Sequence, residues 1–254
     1  MDLTQDLSAS GRAPIYRALL CAAAVVPGLV AYNLPPSPTL FNQAAALGLW
    51  GSVVIASTQP GVAAPLAAVA HSRAFVSALM VAALAAALSS WFGALPSGLS
   101  TPAGGLLLAT MALAIGGAAL RPQPAMLAAL SAAWLGAGVF NSAIALIQVF
   151  APQWPDGDWI ARSGVAGRAV GNMRQPNHLA TLLLWSAVAV VPLVELGPLG
   201  RTRARRAVAL VLMALMVLGI TLSGSRTGLV GIGVLALWGL LDHRLSRFSR
   251  ALLL

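Results

Sequence analysis

Eight long apolar runs, roughly residues 18–34, 40–58, 74–95, 104–120, 125–151, 178–196, 207–222 and 228–241, make up most of this chain and leave it few ways to fold. A helix needs about 20 apolar residues to cross the ~30 Å hydrocarbon layer of a bilayer. Inside that layer every backbone N–H and C=O must be satisfied within a helix or a closed barrel. Barrel strands read as alternating segments of about ten residues, whereas these runs are continuous. The expected fold is all-α, a polytopic integral membrane helical bundle of about eight transmembrane helices. Composition agrees: 59% of the 254 residues are hydrophobic and 8% are charged, against roughly 25% charged in soluble domains. A water-soluble enzyme and a disordered chain are both excluded.

Residues 1–254 read as a single transmembrane domain with no soluble domain and no internal repeat. Pro35-Pro36-Ser37-Pro38, Pro96-Ser97-Gly98, Pro122-Gln123-Pro124 and Gly197-Pro198 punctuate the runs, since proline and glycine stop or turn a helix. Small-residue stretches such as 82–87 and Gly116-Gly117 suit close helix packing in lipid. The polar start, residues 1–13, is followed by an apolar stretch long enough to span, so insertion without cleavage is expected. The one cysteine, Cys21, offers neither a disulfide framework nor a cysteine metal site.

The net charge is +9, and all fifteen basic residues are arginine. In a soluble protein that charge points to nucleic acid. In a membrane chain it records cytoplasmic loops enriched in positive charge, and no nucleic-acid partner is expected. With the N-terminus cytoplasmic, the inner segments hold Arg12, Arg17, Arg73, Arg121, Arg201, Arg203, Arg205, Arg206, Arg244, Arg247 and Arg250, while loops 35–39 and 96–103 carry no charge. Both termini are therefore expected in the cytoplasm. Arg162, Arg168, Arg174 and Arg226 break the pattern on the outer side. Either the earlier helices fix orientation and these four are tolerated, or they hold an anion at the outer surface.

Residues 152–177, PQWPDGDWIARSGVAGRAVGNMRQPN, form the one long outward loop. Long ordered loops are usually functional. Trp154 and Trp159 read as interfacial residues at the headgroup level. Asp156-Gly157-Asp158 has the form of a metal-holding pair but is also an ordinary turn, and no metal is predicted. The second half gathers Arg168, Asn172, Arg174, Gln175, Asn177 and His178 directly before a span, with Asn177 well placed to cap that helix. An outward helix N-terminus flanked by guanidinium groups suits phosphate. A second outward turn, Leu222-Ser223-Gly224-Ser225-Arg226-Thr227-Gly228, puts Arg226 at the mouth between the last two spans. Such an arginine either marks a substrate path or snorkels to lipid headgroups.

The string Gly-Asn-Met-Arg-Gln-Pro-Asn-His-Leu-Ala at 171–180, together with Leu-Ser-Gly-Ser-Arg-Thr-Gly at 222–228, resembles bacterial protein O-oligosaccharyltransferases, within the O-antigen ligase and polymerase superfamily. The likeness lies in residues 150–240, and the first five runs match in character alone. The resemblance implies a multi-pass enzyme of the bacterial inner membrane. It would transfer a glycan from undecaprenyl pyrophosphate to a periplasmic acceptor, either a Ser or Thr of an exported protein or a sugar of the lipid A core. Fixed guanidinium donors aimed at the departing pyrophosphate would lower the barrier with no metal and no nucleotide cofactor. Arg174 and Arg226 are the first candidates, Arg168 the third, and Asn172, Gln175 and Asn177 orient phosphate or sugar oxygens. His178 is the outward histidine able to accept a proton, or else a packing neighbour of Asn177. The superfamily carries a large histidine-bearing periplasmic loop and further spans after the equivalent of 228–241. These 254 residues are thus expected to be an N-terminal portion, truncated before that loop and possessing uncertain activity alone. The competing reading is a transporter or flippase for an anionic lipid or solute.

Overall fold

The computed structural model describes residues 3–33, 39–57, 65–93, 96–119 and 124–254. Among them there is no strand. The helices are α1 (Leu3–Leu29), α2 (Leu40–Ser57), α3 (Pro65–Phe92), α4 (Ser97–Ala119), α5 (Pro124–Phe150), α6 (Pro176–Glu195), α7 (Arg203–Ser223), α8 (Arg226–Leu241) and α9 (Arg247–Leu253), with a 3-10 turn at Pro198–Gly200. Each of the eight apolar runs becomes a helix. α3, α5 and α6 start on a proline, whose fixed φ and missing N–H suit the first helical position. α1, α3 and α4 begin well before their apolar runs, and α1 and α4 continue through Pro14 and Pro102. The short α9 falls in a tail that the sequence presented only as a basic segment. The expected turns at 35–38 and at 122–123, and Arg121, lie outside the described residues.

Among the described residues four segments are long and apolar enough to cross a membrane: Arg73–Phe92, Pro124–Phe150, Pro176–Glu195 and Arg203–Ser223. The other apolar helices, Pro14–Leu29, Leu40–Ala56, Ser100–Ile115 and Arg226–Leu241, are shorter. At 1.5 Å per residue these fall below the hydrocarbon thickness unless flanking residues or bilayer thinning make up the difference.

The contacts divide the chain into two compact units, residues 47–122 and residues 1–46 with 123–254. In the smaller unit α3 packs along α4, and Ser90 Oγ donates to Ser100 Oγ at 3.1 Å. Its large side chains, among them Phe75, Val81, Leu84, Trp91 and Leu108, point outward, the arrangement that suits a lipid-facing pair.

In the larger unit α6 is the central helix, packed against α5, α7 and α8. Leu179, Leu183, Ala187 and Val190 of α6 meet Ala209, Met213, Met216 and Ile220 of α7 in one core. Small residues let the backbones approach, as in other helices packed in lipid. A Cβ on Gly138 of α5 would strike Ser186 and sit 2.7 Å from Met216 Sδ, and one on Gly228 of α8 would sit 2.9 Å from Ala180 Cβ. At the far end Glu195 accepts the N–H of Ser246 at 2.9 Å, and Arg206 lies over the Phe248 ring at 5.3 Å. The arginines at 201–206 and 244–250 therefore sit at the end of this unit opposite the 151–175 loop.

The C-terminal end of α1 is capped from elsewhere in the sequence. A helix leaves its last carbonyls without intrahelical partners. Here Pro27 O and Val30 O accept from Asn42 Nδ2, Gly28 O from Asn141 Nδ2, Leu29 O from Asn172 Nδ2 and Ala31 O from the Arg174 guanidinium. Four side chains from α2, α5 and the 151–175 loop thus satisfy five consecutive carbonyls, and those of Asn172 and Arg174 dock the loop against α1.

Candidate functional site

The 151–175 loop has no regular secondary structure but is hydrogen-bonded along its length. In its first half Asp156 Oδ1 accepts the N–H groups of Asp158, Trp159 and Ile160 at 3.0, 2.9 and 3.1 Å. These bonds, Ile160 foremost and then Trp159, hold the Asp156 carboxyl below its usual range. Asp156 is the pivot of a turn, as one of its two sequence readings had it. Arg162 Nε donates to Pro155 O at 3.1 Å, while Trp154 and Trp159 project outward.

The second half is latched inward by carboxamides. Asn172 is buried: its Oδ1 accepts Ala161 N at 3.0 Å, and its Nδ2 donates to Leu29 O at 2.7 Å and Trp159 O at 2.9 Å. From α5, Gln148 Oε1 accepts the N–H groups of Val170 and Gly171, both at 2.9 Å, and its Nε2 donates to Ala161 O and Gly171 O. Asn141 Oδ1 lies 3.4 Å from the N–H of Asn172. Asn172, expected to orient sugar or phosphate oxygens, gives both Nδ2 donors to the protein's own backbone. Gln148 and Asn141 escaped the sequence reading altogether. Their signal was present, as two carboxamides two helical turns apart on one face of an apolar run, where polar side chains are costly and mark a purpose.

The loop and the α7–α8 turn, far apart in sequence, meet at one end of the unit. Ala169 N donates to Leu222 O at 2.9 Å, and Arg168 donates from Nε to Ser223 O and from Nη2 to Gly224 O, each at 3.0 Å. Arg168 thereby covers the end of α7, where Gly224 takes the left-handed φ of 60° that a closing glycine adopts without strain. A cation there also opposes the negative end of the helix dipole.

Arg174 does the same for α1. Its guanidinium donates to Ala31 O, and Nη2 also lies 3.5 Å from Gly157 O. Its backbone has φ 57°, the one described non-glycine residue with positive φ. A non-glycine residue there carries strain that its surroundings must hold.

Asn177 does not cap α6. Gln175 takes the N-cap position with no side-chain cap, and Pro176 follows it in the first turn, where proline's missing N–H leaves one donor fewer to satisfy. Asn177 lies inside the first turn, where its Oδ1 accepts from Ser225 Oγ at 2.8 Å, and that same Oγ accepts the N–H of Gly228 to cap α8. Gln175, His178 and Arg226 are exposed. Among the described residues the side chains of His178 and Arg226 have no hydrogen-bond partner, and Arg168, Arg174 and Arg226 have no carboxylate partner.

Comparison with known families finds one match here. Residues 169–193 match the model of a family described as protein glycosylation ligase. That segment runs from Ala169, through Asn172, Arg174, Gln175, Asn177 and His178, into the buried body of α6. It is a short part of the chain, and Arg226 lies outside it. No curated protein and no solved structure matches. Among the described residues no three His, Cys, Asp or Glu side chains gather as a metal site would need.

Proposed function

We propose that this chain is a glycosylation ligase of the bacterial inner membrane, crossing it about eight times with both termini in the cytoplasm. In this reading it moves a glycan from undecaprenyl pyrophosphate to a periplasmic hydroxyl, that of a protein Ser or Thr or of the lipid A core. The carrying observation is the joining of Arg168, Arg174 and the turn bearing Arg226 at one end of the helical unit, without carboxylate partners among the described residues, around the segment that matches the ligase family.

The chemistry follows from the guanidinium groups. The acceptor oxygen attacks the anomeric carbon, the bond from that carbon to the pyrophosphate oxygen breaks, and the electron pair leaves with the pyrophosphate. Negative charge grows on the leaving group, and donors already aimed at it stabilise the transition state more than the ground state. Each guanidinium has five N–H donors. Arg168 and Arg174 spend part of theirs on backbone carbonyls, which fixes their planes and leaves other donors for phosphate oxygens. Arg226, exposed at the start of α8, is the one we assign to direct contact with the leaving pyrophosphate. Gln175 and Asn177 border the same surface and orient phosphate or sugar oxygens, while Asn172 supports the loop from within. His178, in the first turn of α6, receives the proton released by the acceptor hydroxyl. Transport fits less well, because residues 125–150, 177–194, 207–222 and 227–241 carry no Asp, Glu, Lys or Arg apart from the ends, where a coupled transporter places ionisable groups near the midplane.

The test is transfer in cells that lack their own ligase, supplied with a lipid-linked oligosaccharide and a pilin-like acceptor. Glycosylated acceptor that disappears with Arg226→Ala supports the proposal. Solute uptake without glycosylation contradicts it.

A further inference from the structure

We infer that Gln148 is a positioning residue for the anion site: its buried carboxamide latches residues 161–171 to α5 and so fixes where Arg168 and Arg174 present their charge. This rests on the pyrophosphate reading above. A carboxamide offers two N–H donors and two acceptor lone pairs, and Gln148 uses all four on one loop. Oε1 accepts from Val170 N and Gly171 N, while Nε2 donates to Ala161 O at 2.6 Å and Gly171 O at 3.2 Å. The side chain is 4% exposed, so it touches the loop from within and does not reach the surface where a ligand would lie.

The latch acts on both arginines because of where its partners stand. Val170 follows Arg168 by two residues, and Gly171 precedes Arg174 by three. Gly171 has φ 59°, and a Cβ there would sit 2.9 Å from both Asn141 Oδ1 and Leu179 Cδ1. The backbone therefore approaches α5 and α6 too closely for any side chain, at the point where Gln148 grips it. The substitutes each fail differently. Glutamate keeps the acceptor and loses the donors, leucine loses both, and asparagine is one methylene too short. Ordering the loop during folding removes that entropy cost from the binding step, which is what a preorganised anion site requires.

The experiment uses the full chain in nanodiscs, with inorganic pyrophosphate as the probe and amide hydrogen exchange as the structural readout. Gln148→Glu and Gln148→Leu are both made, so that one failing to fold leaves the other. The expected result is at least about tenfold faster exchange across 161–174 with little change across 183–194 and 209–220, and pyrophosphate binding weaker by about tenfold, an order of magnitude being a typical single-site effect. Arg168→Gln, which weakens binding in the wild-type frame, should weaken it much less in the Gln148→Glu frame, because the arginine is already misplaced. That non-additivity is something a general loss of stability does not produce. Unchanged loop exchange, or looser exchange with pyrophosphate affinity intact, overturns the role given to Gln148 alone. A wild-type chain that binds no pyrophosphate overturns the underlying reading as well.

Discussion

Ser225 Oγ donates to Asn177 Oδ1 at 2.8 Å, across 48 residues of sequence. With that bond, one buried hydroxyl both caps α8 and ties it to the first turn of α6, and so links the two segments that carry the candidate site.

Breaking that bond has a separable cost. Ser225→Ala removes an N-cap, worth about 1 kcal/mol, and also the bond to Asn177, while Asn177→Ala removes only the latter. Thermal unfolding of the two single variants and the double variant should show coupling of roughly 0.5–1.5 kcal/mol, as contacting residues do. Strict additivity would mean the bond contributes nothing.

Arg174 allows strain and charge to be told apart. At its positive φ a glycine is favoured over alanine by about 1 kcal/mol. Arg174→Gly should therefore unfold at higher temperature than Arg174→Ala, while the two lose pyrophosphate affinity equally. Equal unfolding temperatures would contradict the backbone assignment.

Close packing around α6 predicts a contrast between two glycines one turn apart or less. A Cβ on Gly138 strikes Ser186 and Met216, whereas one on Gly136 meets nothing within 4 Å. Gly138→Ala should destabilise by about 1–3 kcal/mol, and Gly136→Ala should be neutral or stabilising by up to roughly 1 kcal/mol through helix propensity. Chemical unfolding in detergent measures both.

The Asp156 turn carries a pH signature. Three backbone N–H groups hold its carboxyl below the usual range. A folded value below the unfolded one means the contribution is complete above about pH 4, the ordinary carboxylate value, and is lost as pH falls through the folded value. Tryptophan fluorescence from the loop should be flat from pH 7 to about 5 and change only in stronger acid. Asp156→Asn should remove that acid step, and a transition near neutral pH would have to belong to another group.

The helices were legible in the sequence because their signals are local: apolar runs, and prolines at the starts of α3, α5 and α6. The pairing of the loop with the α7–α8 turn was visible only as two motifs, and the structure supplies the bonds between them. What local pattern could not carry was the capping of α1, since Asn141, Asn172 and Arg174 reach carbonyls 113 to 143 residues away. Asn177 was misread for a related reason. Asparagine before a run is a good cap in isolation, but Pro176 starts the helix one residue earlier, and Ser225, invisible to any nearby pattern, claims the side chain.

Direct contact between Arg226 and the leaving pyrophosphate is tested by binding of undecaprenyl pyrophosphate to the purified chain in nanodiscs, wild type beside Arg226→Ala and Arg226→Lys. Saturable binding is expected that weakens at least about tenfold in the alanine variant, the loss of a charge-assisted contact, and is partly kept by lysine. Equal affinity in all three would contradict that contact.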